Sequence, residues 1–247
     1  MKTLRAAIRF ISFIASTLGV YAVWFVAQTF VRDKIAWRQR IFEAWTNSFV
    51  RISNMKIEVS GKPPVPPFFL VTNHLSYTDI AAIRACVKGI FVAKKEVESW
   101  FLAGRICRDM GTIFIDRTNR RDIPRAGEQI VERLNNGEGV IVFPEGTSTK
   151  GEEVLPFNSS FFEFAARSNI AVSYASISYQ TPPGEPAAST VSWWDDSGFF
   201  THMWRLFKVR EYTAVINFGD QLIIDSDRKK LAKELHQCVA DSFVPVA

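Results

Sequence analysis

From Phe10 to Val31 the chain carries no charged side chain across 22 consecutive residues. No other feature limits the possible folds as sharply. Wound as a helix, the run is roughly 33 Å long, close to the hydrocarbon thickness of a bilayer. Lys2, Arg5 and Arg9 precede it, and Arg32, Lys34, Arg38 and Arg40 follow it. With both flanks basic, the charge rule does not orient the segment. Its length, and Trp24, Phe25 and Gln28 where a cleavage site would need small residues, argue against a removable signal peptide. A spanning or deeply inserted helix is expected.

The next stretch, Lys34 to Ile52, repeats the message on one face. Trp37, Ile41, Trp45, Phe49 and Ile52 follow at spacings of four, four, four and three, opposite Arg38, Glu43 and Asn47. Such a stripe fits core packing, and it also fits a helix lying in the membrane interface. Both hold if the two helices form a hairpin dipping into one leaflet. The net charge of +5 suits an anionic surface. Because the Lys and Arg residues are dispersed, a bilayer fits better than nucleic acid. Cys86, Cys107 and Cys238 form no Cys-x-x-Cys pair, so neither a disulfide framework nor a zinc site is expected, and all three read as reduced.

A Pro-rich break, Pro63-Pro64-Val65-Pro66-Pro67, follows the amphipathic stretch. Beyond it, apolar runs at Phe68–Thr72, Ile90–Ala93, Thr112–Ile115 and Val140–Phe143 read as buried strands. Helical patterns at Asp79–Val87, Lys95–Met110 and Arg121–Asn135 alternate with them. Ala171–Tyr179, Thr190–Trp194 and Tyr212–Phe218 add strands, and Asp225-Ser226 opens a last amphipathic helix ending near Phe243. The alternation predicts an α/β fold: a mixed, largely parallel-type sheet covered by helices. Residues 1–54 are expected to form a membrane helix plus an amphipathic interfacial helix, and residues 55–247 the domain that would carry any chemistry.

Three segments could carry chemistry. Asn73-His74-Leu75-Ser76-Tyr77-Thr78-Asp79 leaves a strand end and enters a helix, with Thr78 or Asp79 as its N-cap. Sites in α/β folds collect at the carboxyl ends of strands. A carboxylate five residues after a histidine can reach the Nδ1 hydrogen, leaving Nε2 as a base for an alcohol near neutral pH. A metal is a poor alternative, since one His and one Asp supply only two ligands. Phe143-Pro144-Glu145-Gly146-Thr147-Ser148 also follows a strand. Amides around Gly146 and Thr147 could hold an oxyanion, and Glu145 could accept hydrogen bonds from substrate hydroxyls. Gly111-Thr112-Ile113-Phe114-Ile115-Asp116-Arg117 ends on an Asp-Arg pair, where Arg117 could clamp a phosphate or carboxylate or pair with Asp116.

In this order and spacing the three segments resemble the glycerolipid acyltransferases, typified by 1-acyl-glycerol-3-phosphate acyltransferase, from about Phe68 to Phe218. The resemblance implies that His74 is the general base and Asp79 its orienter. It implies that Asn73, Ser76, Arg117, Glu145, Gly146 and Thr147 bind the acceptor or steady the transition state, and that Lys94, in Ala93-Lys94-Lys95-Glu96, helps hold an anionic head group. Acyl-CoA or acyl-carrier protein would be the donor co-substrate, with no other cofactor and no metal. The partners would be membrane lipids and a lysolipid acceptor, with no nucleic acid. Lysophosphatidic acid would become phosphatidic acid at a bacterial inner membrane, with the catalytic domain facing the cytoplasm.

Two departures bear on the acceptor. Ser148 stands where many members carry arginine, and Val172-Ser173-Tyr174-Ala175-Ser176-Ile177 replaces a Pro-containing fourth motif. The stretch from Glu145 to Ser160, with Trp193-Trp194 and His202-Met203-Trp204-Arg205-Leu206, is similar to the branch that acylates lyso-ornithine lipid, whose acceptor is zwitterionic. Two other functions compete with transfer. One is a lipid-binding protein without turnover. The other is a thioester hydrolase using water at His74, since no Gly-x-Ser-x-Gly elbow is present for a serine mechanism.

Overall fold

The computed structural model describes residues 1–116 and 122–246. Arg117 lies outside the described residues. Two helices, α1 (Lys2–Ala27) and α2 (Lys34–Ser53), lead into strand β1 (Met55–Ser60). There follow β2 (Phe68–Thr72), α3 (Thr78–Cys86), β3 (Gly89–Lys94), α4 (Lys95–Glu98), α5 (Ala103–Asp109), β4 (Ile113–Ile115), α6 (Asp122–Asn135) and β5 (Gly139–Val142). The remainder comprises α7 (Glu163–Arg167), β6 (Val172–Gln180), α8 (Ala187–Thr190), α9 (Phe199–Lys208), β7 (Tyr212–Phe218) and α10 (Arg228–Ser242).

The strands make one seven-stranded sheet in the order β1-β7-β6-β2-β5-β3-β4. From β6 to β4 all neighbours are parallel, while β7 runs antiparallel to β6 and parallel to β1. The sheet is therefore mixed and largely parallel, as the alternation of runs predicts. Both faces are covered, which explains why β2 and β5 read as unbroken apolar runs. Leu70 and Ile141 point toward α2, α3 and α9, where Phe49, Ile83, Leu206 and Phe207 are buried. Phe69, Val71, Val140 and Val142 point the other way, toward Ile130 of α6 and Leu231, Leu235 and Val239 of α10.

The stripe on α2 is core packing. Ile41 and Phe49 are buried, and Trp37, Trp45 and Ile52 pack against the same cluster. The Trp45 indole N–H donates to Thr17 Oγ1 of α1 at 3.0 Å. Helix α1 is long and apolar enough to cross a membrane, yet it does not stand away from the domain. Ala6, Phe13 and Trp24 are buried, and Arg9 donates to the carbonyls of Val209 (2.6 Å) and Arg210 (2.9 Å) just past the end of α9. That guanidinium serves α9 as a C-terminal cap. The opposite face of α1, with Leu4, Ile8, Ile11, Leu18 and Phe25, is exposed.

Several element assignments change. The single helix expected over Lys95–Met110 is two short ones, α4 and α5, because Leu102 adopts φ +57° between them. Thr190–Trp194 is not a strand: Thr190 ends α8, and the next residues form a loop whose backbone docks on the site described below. The alternation of Val191 and Trp193 with polar neighbours mimicked a strand period. Asp227, not Asp225 or Ser226, caps the last helix, accepting from the Lys229 amide at 2.8 Å. Strand β1 and helix α9 were not anticipated.

Candidate active site

The parallel block brings the carboxyl ends of β2, β5, β3 and β4 to one edge of the sheet. His74 leaves β2 there, Phe143 leaves β5, Lys94 ends β3 and Asp116 follows β4. The His74 ring lies flat on Phe143, with centroids 4.1 Å apart and 17° between planes. Phe143 in turn stacks on Phe91 at 5.9 Å. The imidazole thus has an apolar floor and is still 21% exposed.

Asp79 neither caps α3 nor faces solvent; Tyr77 holds the N-cap position without a side-chain bond. The carboxylate folds back instead over the loop that precedes it and is fully buried. Its Oδ2 lies 2.8 Å from His74 Nδ1 and accepts the amides of Leu75 (2.7 Å) and Ser76 (3.0 Å). Its Oδ1 accepts the Tyr179 hydroxyl at 2.7 Å. A carboxylate can only accept here, so the proton sits on His74 Nδ1 and the lone pair is on Nε2. This is a geometry for general-base chemistry. The Tyr179 hydroxyl also accepts from Thr78 Oγ1 at 2.9 Å. Burial, then the neighbouring Asp79 charge, hold its pKa well above the ordinary tyrosine value, so it remains a donor.

The backbone of His74 is clamped from two sides. Its N–H donates to Glu145 Oε1 at 2.7 Å, and its carbonyl accepts the Thr149 amide at 3.0 Å. Glu145 Oε2 meanwhile accepts the Leu155 amide at 3.2 Å. Burial pushes the Glu145 carboxyl up to about 8, while the two amides pull it down. Gly146 adopts φ +76°, a conformation that disfavours a Cβ, and its N–H donates to the Phe143 carbonyl at 3.0 Å. The Gly146 amide is therefore committed to the turn. Among the described residues the Thr147 N–H meets no acceptor in the protein, and Thr147 is exposed.

The loop after α8 closes the arrangement. The Trp193 amide donates to the Leu75 carbonyl at 2.8 Å, and the Ser148 hydroxyl donates to the Trp193 carbonyl. The His202 Nε2 hydrogen bonds the Ser192 carbonyl at 3.0 Å, and Nδ1 meets the Tyr77 hydroxyl at 3.1 Å. Burial lowers the His202 pKa to about 4, so the ring is neutral at physiological pH. It ties this loop to the start of α3.

The remaining predicted residues fall at different depths. Asn73 is buried, and both its amide atoms bond the Ile177 backbone, Nδ2 to the carbonyl at 2.9 Å and Oδ1 from the amide at 2.8 Å. That grip fastens the end of β2 to β6 and gives Asn73 a positioning place behind the histidine. Ser76 is buried, with its Oγ unpartnered. Lys94 is exposed at the carboxyl end of β3. Sequence reasoning missed Tyr179, and it named Trp193 and His202 only within the segments similar to the lyso-ornithine branch, with no place at the site. Tyr179 carried a weak signal, since strand alternation places it on the same side of β6 as Ile177.

Among the described residues no cluster of three His, Cys, Asp or Glu side chains is arranged for a metal. The fold and the site thus define an α/β protein with a His–Asp pair at its strand ends. Residues 56–178 match the family model described as Acyltransferase. The chain is 30% identical over 242 residues to the lyso-ornithine lipid O-acyltransferase of Pseudomonas aeruginosa, covering 97% of this chain and 92% of that protein. It is 31% identical over 164 residues to the 1-acyl-sn-glycerol-3-phosphate acyltransferase of Neisseria gonorrhoeae, covering 66% and 64%. Its fold matches the crystal structure of the 1-acyl-sn-glycerophosphate acyltransferase of Thermotoga maritima with a TM-score of 0.70 at 20% identity, over 98% and 97% of the two chains. The chain belongs to the acyltransferase family that includes these lysolipid enzymes.

Proposed function

We propose that this enzyme moves a fatty acyl group from a thioester to the hydroxyl of lyso-ornithine lipid, with His74 as general base. The bond between His74 Nδ1 and Asp79 carries the reading, because it puts the ring proton on Nδ1 and leaves Nε2 of this partly exposed imidazole as the base. Nε2 takes the hydroxyl proton as the acceptor oxygen attacks the thioester carbonyl. The Thr147 N–H is the amide offered to the developing oxyanion, and as the C–S bond breaks His74 gives its proton to the leaving sulfur, which departs as the thiol and restores the base. The acceptor is itself the nucleophile, so no acyl-enzyme is required. Acyl-CoA or acyl-carrier protein supplies the thioester, which places the site on the cytoplasmic side. The exposed apolar face of α1 lies in the bilayer, where acceptor and product reside.

Ser148 favours a zwitterionic acceptor over a phosphate monoester. Its hydroxyl is turned to the Trp193 carbonyl, and the side chain at this position offers no guanidinium to clamp a dianion. One relative that the chain matches along nearly its whole length is named for the ornithine substrate. The test is transfer by the purified enzyme with lyso-ornithine lipid and lysophosphatidic acid offered side by side, each with acyl-CoA and with acyl-carrier protein. Ornithine lipid as the main product is the expected result. Phosphatidic acid alone would overturn the acceptor assignment and leave the chemistry at His74 standing.

A further inference from the structure

The turn between α4 and α5 holds apolar side chains out of the protein. Phe101 is 98% exposed, Trp100 42% and Leu102 36%. Nevertheless, the turn is firmly built. The Gly104 amide donates to the Trp100 carbonyl at 2.8 Å, and the Ile106 amide to the Leu102 carbonyl at 2.9 Å. A Cβ on Gly104 would lie 2.2 Å from the Glu98 carbonyl oxygen, so the close approach of α4 and α5 requires glycine there. Arg108 grips Glu98 through Nε (3.3 Å) and Nη2 (3.0 Å) across the base. Leu102 adopts φ +57°, which L side chains rarely do. A strained, fastened turn that presents a tryptophan, a phenylalanine and a leucine calls for an apolar partner.

Its position identifies that partner. Arg105 lies over the Phe25 ring of α1 at 5.9 Å, and the Tyr21 hydroxyl donates to Asp109 at 2.6 Å. The turn therefore adjoins the carboxyl half of α1, whose outer face is apolar and exposed. On its other side the Trp100 ring meets Phe199 at 6.1 Å, beside Phe200, which is 61% exposed. Phe199 contacts Tyr77, three residues after His74, at 4.9 Å. The exposed aromatic rim thus runs from α1 to the neighbourhood of the catalytic loop. Arg105 is exposed at its base, and Arg32 and Lys34 follow α1, a charge suited to anionic head groups.

We propose that Trp100, Phe101 and Leu102 form a second membrane-insertion element that seats the mouth of the site on an anionic lipid bilayer. The inference rests on the reading that α1 lies in that bilayer. Tryptophan at the head-group level and phenylalanine beneath it match the preferences of a membrane interface. Seating this turn would set the height of the site above the bilayer, which α1 alone leaves free to roll about its axis.

The test uses the full-length enzyme with vesicles of phosphatidylcholine and phosphatidylglycerol. Co-flotation is measured together with transfer to a short-chain lysolipid kept below its micelle concentration. Phe101→Ser is expected to lower vesicle partition about tenfold, the effect of removing one buried aromatic side chain. Phe101→Leu should retain partition, and both variants should keep turnover on the dissolved acceptor within about twofold of the parent. Leu18→Ser reports on α1 in the same assay. If Leu18→Ser releases the protein while Phe101→Ser binds as the parent does, the second element is refuted and α1 remains. If neither variant loosens binding, both readings fall. Loss of turnover on the dissolved acceptor in Phe101→Ser would mark a structural role and refute the proposal.

Discussion

Asp79→Asn is expected to lower kcat by about a thousandfold while leaving the folded structure and donor binding intact, within the range found for positioned acid–base groups. The amide matches the carboxylate in shape and can still accept from Leu75 and Ser76. What disappears is the negative charge 2.8 Å from His74 Nδ1 that stabilises the imidazolium formed when the base takes a proton. Steady-state transfer, together with the thermal midpoint of the variant, checks this. A kcat within threefold of the parent would show that the charge at Asp79 contributes little to the chemical step.

Asn73→Ala is expected to reduce stability by about 3 kcal/mol, because it strands a buried donor and a buried acceptor of Ile177 together. For a chain of this size that corresponds to a fall of about 10 °C in Tm. The amide occupies the place of a peptide group, bonding the Ile177 carbonyl at 2.9 Å and its N–H at 2.8 Å. It is also the residue directly before His74, so the loss should reach the site as a lower kcat with KM for the donor unchanged. Thermal unfolding followed by circular dichroism, with kinetics well below the new midpoint, separates the two effects. A Tm unchanged to within 2 °C, with normal turnover, would mean that the β2–β6 junction holds without this side chain.

The parts of this structure legible in the sequence are those governed by local pattern. Runs such as Phe68–Thr72 and Val140–Phe143 are apolar throughout because parallel strands are buried on both faces. The spacing from His74 to Asp79 spans one loop and the first residues of a helix, a distance over which a carboxylate can turn back. Register is not written in any single run. Leu70 lies opposite Ser173 across the β2–β6 pair, and this register brings Ile177 to Asn73 and leaves Tyr179 within reach of Asp79. Neither strand alone indicates it. The same limit hid the Trp193 loop, whose short apolar alternation looked like a strand although its backbone is engaged by Leu75 and Ser148. Glu145 and Gly146 were legible as a turn after β5. Their partners, the His74 amide and the Phe143 carbonyl, became visible only with the chain folded.

The proposed activation of a lysolipid hydroxyl by His74 for attack on an acyl thioester is tested most directly by single-turnover transfer. A labelled acyl group passes from a pre-bound donor to lysolipid, and the parent enzyme is compared with His74→Ala. The variant is expected to bind donor and membrane as the parent does but to form acylated lipid at least about a thousandfold more slowly. Acylated lipid formed at the parent rate by His74→Ala would contradict the proposed activation.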